Sequence, residues 1–161
     1  MPLLKGGRET ADAFVTVADE TPLHYGPAIV SLKRFLAEKD MLLVHPFALG
    51  VILEPGDRPE AFGDNVHFLA LIALRFPLFK DGRVFSQARV LRTRLRYTGE
   101  LRATGHFLID QIAFLMRVGV DAFDLPPRIS VADAVAAARA ISDVYQPAPD
   151  DRRPIGILHG A

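Results

Sequence analysis

Cysteine is absent from this 161-residue chain, which excludes disulfides, thiolate nucleophiles, cysteine-held zinc and iron–sulfur ligation within it. The redox compartment is therefore not fixed by composition. Net charge is missing too. The 19 Lys and Arg balance 19 Asp and Glu, so no global field draws nucleic acid or an anionic membrane, and electrostatic selectivity must be local. No apolar run approaches membrane-spanning length, and Met1-Pro2-Leu3-Leu4-Lys5-Gly6-Gly7-Arg8-Glu9 lacks the apolar core of a signal peptide. A soluble cytoplasmic protein is the expectation. There is also no GxGxxG, Walker loop, G-x-S-x-G or HExxH, and His24, His45, His67 and His159 are scattered. Neither nucleotide nor metal binding has a motif behind it, and no cofactor is indicated.

What is present is enough apolar residue, 50% of the chain, to bury one substantial core. Residues 1–26 read as an N-terminal arm in which Ala13–Val17 can form a short strand. Residues 27–146 read as a single α/β domain, and the Pro- and Asp/Arg-rich 147–161 as a loosely held tail. Within the domain, Ala28–Val30 predicts a buried strand, followed by a short helix capped by Ser31 with Leu32, Phe35 and Leu36 on one face. Further strands are expected at Ala48–Leu53, Val66–Phe76, Leu101–Thr104 and Val120–Leu125. Helices are expected at Val84–Tyr97, stopped by Gly99, at His106–Val118, and after the Ser130/Asp133 capping box. Repeated βα units of this kind predict a mostly parallel sheet of about five strands, either open or curled into a half-barrel. A half-barrel so small would need a partner, such as a second copy, to cover its open edges.

Ligands bind such folds beyond the carboxyl ends of the strands, and three groups of residues fall there. Lys80, Asp81, Arg83 and Ser86 surround the start of a helix, where free N–H groups suit a small oxyanion; the same residues also suit a plain Asp-Gly turn with a solvated surface. Arg102 shares a strand face with Glu100 and Thr104 and needs a partner, which either Glu100 or a bound anion supplies. His106, Asp110 and Arg117 form the polar stripe of an apolar helix, either a His–Asp pair for proton transfer or a solvent-facing stripe. Between Phe76 and Val118 eight basic residues stand against three acidic ones. Arg89, Arg92 and Arg96 lie together on one helix flank, a candidate docking patch for an acidic protein.

Phe-Pro-Leu-Phe-Lys-Asp-Gly-Arg (76–83), Gly-Glu-Leu-Arg-Ala-Thr-Gly (99–105), Asp110-Gln111 and Gly-Val-Asp-Ala-Phe (119–123) together resemble a bacterial domain-of-unknown-function family. Its members often carry the label of an oxidoreductase of sulfite reduction and are commonly encoded beside the sulfite reductase haemoprotein. The chain departs from that family's pattern at Arg75 and His106, where acidic residues are usual, and at Val118, where cysteine is frequent. The resemblance implies an accessory protein of assimilatory sulfur metabolism; with the strand-end residues above, sulfite or sulfate would be held by Lys80, Arg83, Ser86, Arg102 and His106, and His106, oriented by Asp110, would exchange a proton. It equally admits a non-enzymatic module docked on sulfite reductase. A half-barrel enzyme acting on a phosphorylated or carboxylated metabolite is the third reading.

Overall fold

The computed structural model describes residues 2–139; the tail 147–161, His159 and the end of the last expected helix lie outside them. In chain order the elements are β1 (Leu3–Lys5), β2 (Arg8–Thr10), β3 (Val15–Thr16), β4 (Ala28–Ser31), α1 (Leu32–Ala37), α2 (Lys39–Leu43) and β5 (Leu49–Leu53). Short 3-10 turns follow over Pro59–Phe68, then β6 (Leu71–Phe76), α3 (Arg83–Thr93), β7 (Glu100–Gly105), α4 (Gln111–Arg117), β8 (Ala122–Asp124) and α5 (Val131–Arg139).

All eight strands join one sheet in the order β2-β1-β8-β7-β6-β5-β4-β3. From β3 to β8 they run parallel and lie beside their sequence neighbours. Right-handed crossovers between such neighbours put the connecting helices on one side. The sheet stays open and curls into a half-barrel. Its helix-facing side chains, among them Val30, Val51, Leu74, Leu101 and Phe123, merge with Phe35, Val84, Leu91, Ile112 and Leu115 into the main core. The concave face holds a separate small cluster, Ile29, Leu71 and Ala73 with Phe14 and Ile52, to which no helix contributes.

The sheet departs from the expected one in two ways. The sheet has eight strands rather than about five, and it is mixed rather than mostly parallel. Gly6 and Gly7, at φ 57° and 74°, make the tight turn between β1 and β2, and β1 then adds antiparallel to β8. These strands are too short to show alternation, although Gly-Gly is itself a hairpin signal.

Other corrections are of extent. The apolar run before Phe76 is strand only from Leu71, because Val66–Phe68 closes the 3-10 turns. Helix α3 stops at Thr93: the Leu95 and Tyr97 amides turn back to Val90 and Leu91 carbonyls, and Arg96 takes a positive φ of 50°. Gly99 is thus no helix stop; it gives room to the Tyr97 side chain, which a Cβ would strike. Helix α4 begins at Gln111 rather than His106. Gly105 (φ 95°) turns the chain where a Cβ would collide with the Phe76 carbonyl oxygen, and the Gln111 side chain accepts from Leu108 N and donates to Phe79 O, each at 2.8 Å. In α1, Ser31 Oγ caps Arg34 N at 3.0 Å as expected, but Leu36 is exposed and Arg34 buried. The Arg34 guanidinium donates to the Ala18 and Thr21 carbonyls and to Glu38, which satisfies the buried charge. The Ser130/Asp133 capping box forms before α5.

One arginine of the supposed docking flank joins three elements internally. Arg92 Nε donates to Gly119 O at 2.9 Å, and Nη1 donates to Tyr97 O and Gly99 O at 2.6 and 2.8 Å. Nη2 donates to Asp121 at 3.0 Å. This ties the end of α3 to the starts of β7 and β8, and Gly119 (φ 100°) is required because a Cβ there would strike the Arg92 side chain. With Arg92 removed, three carbonyls and a carboxylate lose a charged donor, so Arg92→Ala is expected to destabilise by about 3 kcal/mol. Lysine cannot reproduce the fork, so Arg92→Lys should recover less than half of that. Arg89→Ala, on the exposed part of the same flank, should stay within about 0.5 kcal/mol. Urea unfolding of the three variants measures all three values.

Candidate functional site

Strand alternation sorts the polar residues of the sheet onto its concave side, and the register sets them in rows. Arg75 lies beside Thr104. Continuing the β7–β8 register by one residue puts Thr104 beside Asp124, which in turn faces Leu3. This row closes the carboxyl ends of β6, β7 and β8. One step back lie Ala73, Arg102, Ala122 and Lys5, and behind them Leu71 and Glu100. On this face β6 contributes Leu71 and Ala73 before Arg75, while β7 is polar along its length through Glu100, Arg102 and Thr104.

Arg102 is the centre of the polar part and is only 2% exposed. Its Nε and Nη2 each reach Glu100 Oε1 at 2.8 Å, and Nη1 reaches Asp12 Oδ2 at 2.6 Å. The Phe14 ring lies 5.9 Å away, at cation–π range, and Lys5 Nζ bonds Glu100 Oε2 at 2.7 Å. Burial pulls the guanidinium pKa down, but Asp12 and Glu100 more than offset it and hold the group above its ordinary value. The charge is fixed and internally neutralised. Asp12 and Phe14 come from the link between β2 and β3, so this contact also lays that link across the concave face.

Asp124 is half-buried at the end of this row, and its carboxyl is shifted. Burial raises its carboxyl above the usual aspartate value and Asp12 adds to the rise, while Arg102 and the Thr104 hydroxyl act the other way. Asp121 is also raised by burial, against the pull of Arg92, but it belongs to the Arg92 contact and accepts from Leu101 N at 3.0 Å. A half-buried carboxyl with a raised pKa, at the carboxyl end of a parallel strand, is a candidate for proton exchange.

The residues singled out from sequence do not converge on one point. Arg83 folds back on Asp81 through Nε and Nη2, at 2.9 and 2.6 Å, and the Arg83 backbone N–H also donates to Asp81. That exposed pair lowers the Asp81 pKa through the Arg83 hydrogen bond. The Asp81 carboxylate thus takes the place at the start of α3 that an oxyanion would occupy. Lys80 and Ser86 are exposed beside it. Arg102 is bonded instead to Glu100 and Asp12. His106 and Asp110 are exposed and precede α4, and His106 lies in a bend outside the helix, so the expected three-residue stripe does not form. Among the described residues no group of three or more His, Asp or Glu is placed to hold a metal, and no helix is long and apolar enough to cross a membrane.

Asp124 and Asp12 escaped the sequence reading. Asp124 was legible in principle, since alternation from Ala122 puts it on the face opposite Phe123 at the strand's end. Asp12 had no local signal, lying 90 residues from Arg102. Because the folded state holds the Asp124 proton more tightly than the unfolded state does, Asp124 favours folding below its ordinary pKa and loses that contribution as pH rises through its folded pKa. Asp124→Asn removes this dependence. Urea unfolding of both proteins from pH 7 down to pH 4 should show wild type gaining stability relative to the variant; a constant or reversed difference would contradict the assignment.

No curated protein matches the chain. The family model described as bacterial protein of unknown function (DUF934) matches residues 50–156, a span that runs from β5 through the Arg92 contact, Arg102 and Asp124. On that match the chain belongs to this bacterial family, DUF934.

Proposed function

We propose that the protein is an accessory protein of sulfite reduction that binds a small oxyanion, sulfite or sulfate, at the carboxyl edge of its concave face. The observation that carries the position is the single row Arg75, Thr104, Asp124 across three neighbouring strand ends. It offers the Arg75 guanidinium as donor, with the Thr104 hydroxyl and the Asp124 carboxyl, whose pKa burial raises, beside it, a polar set that suits an anion with several acceptor oxygens. Arg75 is available for exchange, since its partner Glu54 sits at 3.2 Å in a pair about half exposed on both sides, and such pairs contribute little. The sulfur chemistry rests on the resemblance carried by the motifs at 76–83, 99–105 and 119–123.

This reading differs from the sequence expectation in placing the anion away from Lys80, Arg83 and Ser86, because Asp81 already neutralises Arg83. It assigns binding, with Asp124 able to exchange a proton with the bound anion. A ligand held only by the native state raises the unfolding midpoint, by about 2.7 kcal/mol at a hundred times its dissociation constant. Thermal unfolding with sulfite, sulfate and phosphate should therefore show a rise of several degrees for at least one of them. The rise should vanish in Arg75→Ala and survive in Arg83→Ala. The opposite pattern would return the site to the start of α3, and no shift with any of the three would overturn the oxyanion reading.

A further inference from the structure

Large apolar side chains are also exposed on the loops that leave the carboxyl ends of β6 and β7 and on α4. Leu78, Phe79, Ile109 and Phe114 are 55, 50, 40 and 52% exposed. Leu78 and Phe79 stand on the β6–α3 connection, Ile109 on the β7–α4 connection and Phe114 on α4 itself, and these are tied together: His106 N donates to Phe76 O at 2.8 Å, and Gln111 Nε2 donates to Phe79 O at 2.8 Å. Arg128 donates to Phe107 O at 2.9 Å, which fastens the next loop to the same surface. These bonds hold a set of large apolar side chains outward. Half-exposed, each offers on the order of 100 Å², so together they make a patch of the size that is often functional on a monomer.

The charges beside the patch identify what covers it. Among the described residues neither the Lys80 ammonium nor the Asp110 carboxylate has a hydrogen-bond or ion-pair partner, although their loops are joined through Phe79 and Gln111. An acidic partner would call for an unopposed basic rim, whereas here Asp81 occupies Arg83 and Asp110 is open. One free cation and one free anion flanking an apolar centre are self-complementary under a two-fold axis, with Lys80 of each copy meeting Asp110 of the other. We propose that two copies of this chain associate through Leu78, Phe79, Ile109 and Phe114, with reciprocal Lys80–Asp110 pairs at the rim. The patch supplies the apolar centre and the surrounding loops the rim of an interface of about 800 Å² per copy. The concave face stays open.

Sedimentation velocity of the full chain over a wide range of concentration tests this, with circular dichroism confirming that each exposed-site variant is folded. Wild type should pass from monomer to dimer as concentration rises, and Phe79→Asp should remain monomeric throughout. Lys80→Asp sets like charges opposite one another and should weaken association by about tenfold or more. Lys80→Asp combined with Asp110→Lys should restore it, which no non-specific apolar contact would do. A wild type that stays monomeric, a dimer indifferent to Phe79→Asp, or a charge swap that fails to restore association would each overturn the proposal.

Discussion

A guanidinium buried on a sheet face has to be neutralised where it sits, and Arg102 imposes that requirement on the whole concave side. Removing either partner of such a charge costs about 3–5 kcal/mol. Glu100, two residues earlier on the same strand, supplies one carboxylate. Asp12 supplies the other from far away in sequence. Holding Asp12 there brings Phe14 over the guanidinium and onto the small cluster of Ile29, Leu71 and Ala73. The floor of the half-barrel is thereby closed by the chain itself, and the polar row beyond Arg102 is left as the accessible part.

The helix side depends on a different arginine for a similar reason. Arg92 gathers carbonyls from the ends of three elements, so the conspicuous glycines around it follow from steric contact rather than from ligand binding. The stretch 99–105 shows how several demands are met within seven residues. Gly99 makes room for Tyr97, whose hydroxyl donates to Leu69 O at 3.0 Å, and burial raises the Tyr97 pKa well above the usual tyrosine value. Glu100, Arg102 and Thr104 point to the concave face, Leu101 and Ala103 enter the main core, and Gly105 lets the chain cross Phe76. A motif can be this specific with only its alternate residues available to a ligand.

Sequence reasoning reached the βα order and the positions of the central strands because β4 to β8 are buried, apolar and separated by helix-length segments. It did not reach β1 and β2, since three-residue strands carry no period. It overran α3 because the apolar spacing continues past Arg96, where the backbone turns, and it began α4 too early because Phe107 and Leu108 extend the apolar spacing into the turn that the Gln111 side chain closes. The site suffered more than the fold. Arg102 was recognised as a charge in need of a partner, and Glu100 was correctly one of the two alternatives offered for it. The second carboxylate could not be foreseen, because an ion pair spanning 90 residues leaves no trace in local pattern. The His106, Asp110 and Arg117 stripe failed together with the helix that would have aligned it.

With Arg102 satisfied internally, an anion must find its donors elsewhere on the concave face. Amide and arginine side-chain NMR spectra, followed while sulfite is titrated into the full chain, address that directly. The account requires shifts at Arg75, Thr104 and Asp124, with the Arg102 Nε resonance keeping its hydrogen-bonded position. Shifts confined to residues 80–86, or loss of the Arg102 signal's bonded character as sulfite displaces Asp12, would contradict it.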